Sequence, residues 1–188
     1  MSADDELITR AKTGDAAAWR ELYRAHAGRL VAWLGARHTG DVAVAPEDLA
    51  AESWLTAAQK ISEFTGTSDE FAGWLFGIAR HLSANVQRRS RRRATHPDPA
   101  PTPVETVTGP EPELVARDWV NRALAGLPRR ERDVVACTDV VGLDIESTAR
   151  ALGISAVAVR VARHRGLARL RKKPGRAHPA AAVSSRSR

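Results

Sequence analysis

Hydrophobic residues in the first ninety positions return at steps of three and four. Trp19, Leu22, Tyr23, His26, Leu30, Trp33 and Leu34 follow "TGD", where Asp15 can cap, and their spacing predicts one long helix with these side chains on a single face. "APEDLAAESWLTAAQKI" starts with a proline and two acids, which suits a helix N-terminus, and predicts an inner face of Leu49, Ser53, Trp54, Ala58 and Ile61. Phe71, Trp74, Leu75, Ile78, Leu82 and Val86 mark a third helix that runs out into "RRSRRR" at 88–93. No strand-like alternation competes with these patterns. Four of the five tryptophans fall in this part, at positions that suit core packing.

The periodicity then stops. Residues 94–112, "ATHPDPAPTPVETVTGPEP", hold six of the ten prolines, which lack an amide hydrogen and disfavour helix in the residue before them. This stretch is expected to be an extended, flexible linker between a first domain (1–93) and a second (113–173). Helical spacing resumes in "PELVARDWVNRALAGLP", closed by Gly126 and Pro128, and in "RRERDVVACTDVVG", with Val134, Val135, Cys137 and Val141 buried. "DIESTARALG" predicts a short helix with Ile145, Ala149 and Leu152 inward and Gly153 at its end. Ser155 can cap a last helix whose inner face is Val159, Ala162, Gly166 and Leu170. The fold class is therefore all-α: two small helical domains, the second ending in a helix-turn-helix arrangement. Residues 174–188 read as a disordered basic tail.

Charge changes this picture from a plain helical protein to one with a polyanionic partner. The 188 residues carry a formal net charge of +7, concentrated at 88–93 and from Arg160 onward, where no acid occurs. Two separate basic clusters suggest a polyanion touched at two points, which favours nucleic acid over an ordinary solvated surface. The single cysteine, Cys137, excludes an internal disulfide or a cysteine-based zinc site and reads as a small core residue. No metal or cofactor is expected. No Gly-rich phosphate loop, paired carboxylates or Ser/His/Asp constellation stands out, so the chain is not expected to be an enzyme. The acidic, amphipathic N-terminus is not a signal peptide and no apolar run is long enough to span a membrane, so a cytoplasmic location is expected.

Read in order from Leu7 to Arg171, without the linker, the motifs resemble the extracytoplasmic-function (ECF) family of bacterial RNA polymerase sigma factors. "AKTGDAAAWRELYRAHAGRL", "PEDLAAESWL" and "FAGWLFGIARHLSANVQRRSRRR" carry the likeness in the first half, and "ALAGLPRRERDVV" and "GLDIESTARALGIS" in the second. Each is weak alone; their order and spacing make the combination specific. The resemblance implies that Asp48, Leu49, Glu52 and Leu55 dock on the β′ clamp helices of core RNA polymerase, with Ala51 where the family usually has Gln. It implies that Thr65, Gly66, Thr67 and Ser68 hold an unstacked base of the promoter −10 element, while Arg80, His81, Asn85, Arg88 and Arg89 follow the phosphates and upstream base edges. His81 stands where many members have Asn.

For the second domain the resemblance implies a −35 reader in the major groove: Ser155, Arg160, Arg163, His164, Arg165 and Arg171. Here the chain departs from the family, with Ala158, Val161 and Ala162 in place of Thr, Ser and Arg. The implied partners are core RNA polymerase (β′ clamp helices and β flap), promoter DNA and an anti-sigma factor, with the free protein a monomer away from membranes. A helix-turn-helix repressor or activator acting without polymerase is the alternative. It accounts for residues 113–171 but gives no reason for the arginine-rich helix end at 80–93.

Overall fold

The computed structural model describes residues 3–37, 44–94 and 120–172, all helical or in the turns between helices. The expected linker, apart from Ala94, and the expected tail lie outside these residues. Helix α1 (Ala3–Lys12) ends at Gly14, whose φ of 83° suits a residue without a Cβ. Asp15 then starts α2 (Ala16–Arg37) as the sequence implies: its carboxylate accepts from the Ala17 amide at 2.7 Å and from Arg10 Nε at 2.6 Å. Leu22, His26, Leu30, Trp33 and Leu34 are buried along α2. Tyr23 is not; it is 54% exposed, one step around the helix from the core stripe.

Helix α3 (Pro46–Lys60) has proline in its first turn followed by Glu47 and Asp48. Its inner face is Leu49, Ala50, Ser53 and Ala57, with Ala57 taking the buried place assigned to Ala58 from the sequence. Ser53 tolerates burial because its hydroxyl donates to the Leu49 carbonyl at 2.6 Å. A 3₁₀ turn (Ile61–Glu63) leads to Phe64 and then to α4 (Ser68–Ala94). Phe64, Phe71 and Trp74 pack with ring centroids 4.9–5.9 Å apart, and Trp54 joins them through Phe71 at 6.1 Å.

The later elements are helical residues 120–125 (α5), α6 (Arg129–Val135), α7 (Ile145–Leu152) and α8 (Ala156–Lys172). Helix α6 does not stop at Val135 but widens into a π turn over Ala136–Val140, with the Val141 amide reaching the Ala136 carbonyl at 3.1 Å. Asp144 caps α7 by accepting from the Ser147 amide at 2.7 Å. Gly153 closes α7 with φ 63°, and the Ile154 amide bonds back to Ala149 O at 3.1 Å. At the crossing of α6 and α8, a Cβ on Gly166 would lie 2.7 Å from Val135 Cγ2, so glycine sets their approach.

Helices α1–α4 and α5–α8 pack on each other through α4 and α7. The contact is made by small residues: a Cβ on Gly73 would lie 2.8 Å from the Ser147 carbonyl, and Ala151 backs onto Gly77. Polar contacts flank it, with Ser147 Oγ donating to Asp69 O at 3.4 Å and Arg150 pairing with Glu70 at 2.5 Å. Farther along, Arg29 donates to the carbonyls of Val141 and Gly142 at 2.9 and 3.1 Å. Arg37 is buried against Asp133 at 3.4 Å, with its guanidinium 4.4 Å from the Trp33 ring. Burial drives the Arg37 pKa down and the Asp133 pKa up, and each charge partly offsets the other's cost. Helix α7 is thus covered on two sides. That is why Ser147, Thr148 and Ala151 are its buried positions with Leu152, while Ile145 and Ala149, expected inward, are only half-buried.

Candidate nucleic-acid and polymerase interfaces

Three surfaces gather the residues singled out from the sequence. On α3, Asp48, Ala51, Glu52 and Leu55 are all exposed, and their three- and four-residue spacing puts them on one stripe. Leu55 is 60% exposed, a large apolar side chain beside two carboxylates. Leu49 lies on the opposite side, 1% exposed in the core. Beside the stripe, Tyr23 leans on Trp54 with centroids 5.1 Å apart and lines a shallow groove of about 540 Å³ with Trp19 and Arg20. The sequence pattern concealed Tyr23, because residues 22 and 23 are both apolar and only one can face inward.

The second surface is the loop before α4 and the outer side of that helix. Thr67 sits at the N-cap, where its amide donates to Glu70 Oε2 at 3.0 Å, so the carboxylate of the first turn reaches back to the cap. Gly66 lies over the Phe64 ring, and a Cβ there would come within 2.6 Å of it. Thr65 is exposed, and Gly66, Thr67 and Ser68 are half-buried. Phe64 and Glu70 thus brace the loop, on which Thr65 is exposed. Along α4, His81, Asn85, Arg88 and Arg89 are exposed and Arg88 donates to Asn85. Arg80 is half-buried and points at the α7–α8 corner, its Nη2 3.2 Å from where a Gly153 Cβ would be.

The third surface is α8, which contains five arginines, one lysine and no acid. Ser155 caps it, accepting from the Ala158 amide at 3.2 Å. Arg163 is held in two-pronged contact with Asp139 at 2.5 and 3.0 Å, and the pairing raises the Arg163 pKa. Burial alone would raise the Asp139 carboxyl, but hydrogen bonds from Arg163 and Thr138 outweigh it and hold the carboxyl below its ordinary range. Arg160 approaches Glu146 at 3.6 Å and Arg169 pairs with Glu131 at 2.8 Å. His164, Arg165 and Arg171 are exposed and make no ion pair among the described residues.

The surfaces differ in sign: an acidic and apolar stripe on α3, cations at the end of α4, cations along α8. No group of three or more His, Cys, Asp or Glu among the described residues could hold a metal. Nor, among them, is any helix long and apolar enough to cross a membrane.

The chain matches the sigma-70 region 2 family over residues 22–93 and the sigma-70 region 4 family over residues 117–170. It is 35% identical to the ECF RNA polymerase sigma factor ShbA of Streptomyces griseus, over 88% of this chain and 92% of that one. The chain belongs to the ECF sigma factors of the sigma-70 superfamily. This sigma factor is also 32% identical to SigD of Mycobacterium tuberculosis, over 89% of its own length and 82% of the relative's. Its fold is like that of CnrH, solved in complex with the cytosolic domain of CnrY, with a TM-score of 0.67 at 21% identity over 91% of this chain and 96% of that one. RpoE of Bartonella quintana, solved with the anti-sigma factor NepR, gives a TM-score of 0.62 at 20% identity, over 84% and 97%. Sigma factors are not catalysts, and the protein is not an enzyme.

Proposed function

We propose that this ECF sigma factor binds core RNA polymerase through the outer stripe of α3, opens promoter DNA through the 65–68 loop and α4, and reads the −35 element through α8. In this reading α7 and α8 form a helix-turn-helix, and residues 1–93 and 113–173 act as two domains joined by the 94–112 linker. Residues 174–188 add a basic tail, and the free protein is a cytoplasmic monomer. The observation that carries it is the order of the three surfaces on a chain matching region 2 and then region 4. Asp48, Glu52 and Leu55 offer the polymerase two charges and an apolar anchor. With Leu49 committed to the core, Leu55 is the anchor that a partner reaches.

Unstacked bases need a small polar pocket and cations nearby, which Thr65 and the 80–89 face of α4 supply. The β flap is the polymerase element assigned to the second domain. An anti-sigma factor is a further partner, a reading supported by the complex of RpoE with the anti-sigma factor NepR.

The test separates docking from opening. Asp48→Lys with Glu52→Lys should abolish co-purification with core polymerase and leave the melting temperature within about 1–2 °C, since both side chains are exposed. Arg88→Ala with Arg89→Ala should leave the holoenzyme intact and remove permanganate reactivity near −10. A repressor that ignores polymerase would show neither effect: Asp48→Lys with Glu52→Lys would leave its duplex binding intact, and only Arg88→Ala with Arg89→Ala would weaken it.

A further inference from the structure

The first two turns of α8 carry an apolar stripe on an otherwise basic helix. Val157 is 66% exposed and Val161, one turn on, is 44% exposed. At helical spacing both point away from the buried Val159, Ala162 and Gly166 and share the outer face with exposed His164. Arg160 lies to one side of this stripe and Arg165 to the other. Valine in a helix keeps nearly one χ1 rotamer, so the two methyl-bearing tips are presented rigidly. The other polar groups near the start of α8 are engaged elsewhere: Ser155 Oγ with the Ala158 amide and Arg163 with Asp139.

An apolar strip two side chains long, edged by cations and without an acid on its helix, needs a complementary surface with an apolar floor and anionic rims. The major groove over A·T pairs is such a surface. It admits one α-helix, phosphates line its edges, and the thymine 5-methyl group is the apolar feature that its floor presents. The N-terminal turns of a recognition helix are also the part that meets base edges. We infer that Val157 and Val161 read thymine methyl groups in the −35 duplex, so that this protein recognises A·T pairs there by apolar contact. The inference rests on the reading of α8 as the −35 helix. The arginines then supply affinity and register, and the valines supply sequence.

The experiment uses holoenzyme reconstituted from the full chain and core polymerase. A duplex library randomised across the −35 region yields a preferred element, whose thymines are replaced one at a time by deoxyuridine. That exchange removes the methyl and leaves the hydrogen-bonding edge unchanged. At one or two positions the exchange should weaken closed-complex binding about fourfold, the value of one buried methyl-sized group. V157S/V161S, at two exposed positions and with its fold checked by circular dichroism, should bind the thymine and deoxyuridine elements equally.

Equal binding of both elements by the wild type overturns the inference, as does a selected element without A·T pairs or a valine variant that still discriminates. If the variant keeps DNA discrimination but loses a bound anti-sigma protein, the stripe is a protein-docking face and the inference is likewise wrong. Failure of the holoenzyme to select any element is a different result, which removes the −35 reading itself and the inference with it.

Discussion

His26 is a buried histidine whose Nδ1 has no hydrogen-bond partner, packed on Phe71 at 5.7 Å where α2 meets α4. Burial, and then the positive charge of Arg29, push its pKa down from the usual 6.5 to about 4. A folded-state pKa below the unfolded value means that the native state holds the neutral ring and the unfolded chain takes up the proton first. The contribution to stability is complete above pH 6.5 and is lost as pH falls toward 4. Between pH 7 and pH 5 it should amount to about 2 kcal/mol. Glu21, Asp69 and Asp144 line the same cavity as His26 and Arg29. Denaturant melts of wild type and His26→Leu at the two pH values check this, and an equal loss in both proteins would take His26 out of the account.

Gly166 sits where α8 crosses α6. Alanine there would gain about 1 kcal/mol of helix propensity but place its Cβ 2.7 Å from Val135 Cγ2. Overpacking of that kind costs about 1–3 kcal/mol, so Gly166→Ala should be destabilising on balance in thermal melts.

Among the elements, α2 and α3 were legible because large apolar side chains recur at helical spacing and Asp15 or proline marks their starts, and α8 because Ser155 caps it and Val159, Ala162 and Gly166 recur on one face. Helix α7 was legible in extent but not in orientation. Its second buried face consists of Ser147, Thr148 and Ala151, and small or hydroxyl side chains carry no hydrophobic signal. The π turn at Ala136–Val140 left no mark in the sequence either, because one extra residue in a helix shifts the register without changing composition.

The candidate site residues were legible as residue types but not by availability. Sequence could not show that Leu49 faces inward, or that Arg163 is tied to Asp139 while Arg165 and Arg171 are not in ion pairs among the described residues. That difference gives an expectation for α8. Replacing Arg165 and Arg171 with Ala should lower the log–log salt slope of duplex binding by about 0.9 for each phosphate no longer neutralised. Arg163→Ala should chiefly lower the melting temperature, since it breaks the pairing with Asp139. Equal slope changes from both substitutions would show that Arg163 leaves Asp139 for DNA.

At the scale of the whole molecule, α4 packs on α7, so the helix proposed to face the −10 element also holds the proposed −35 unit. The composition of 94–112 makes it the expected site of first proteolytic cleavage, and the α4–α7 packing should then keep the two fragments together on gel filtration. Gly73→Leu should separate them, because a side chain there runs into the Ser147 backbone while α4 itself gains helix propensity. Fragments of the wild type that part at once would contradict the packing. The central claim, that this ECF sigma factor directs polymerase to promoters, is met most directly by run-off transcription from genomic fragments with purified core polymerase. Discrete transcripts should appear only when the protein is added and should vanish with Asp48→Lys/Glu52→Lys. A transcript pattern that the protein does not alter, together with tight binding of the protein alone to a specific duplex, would contradict it.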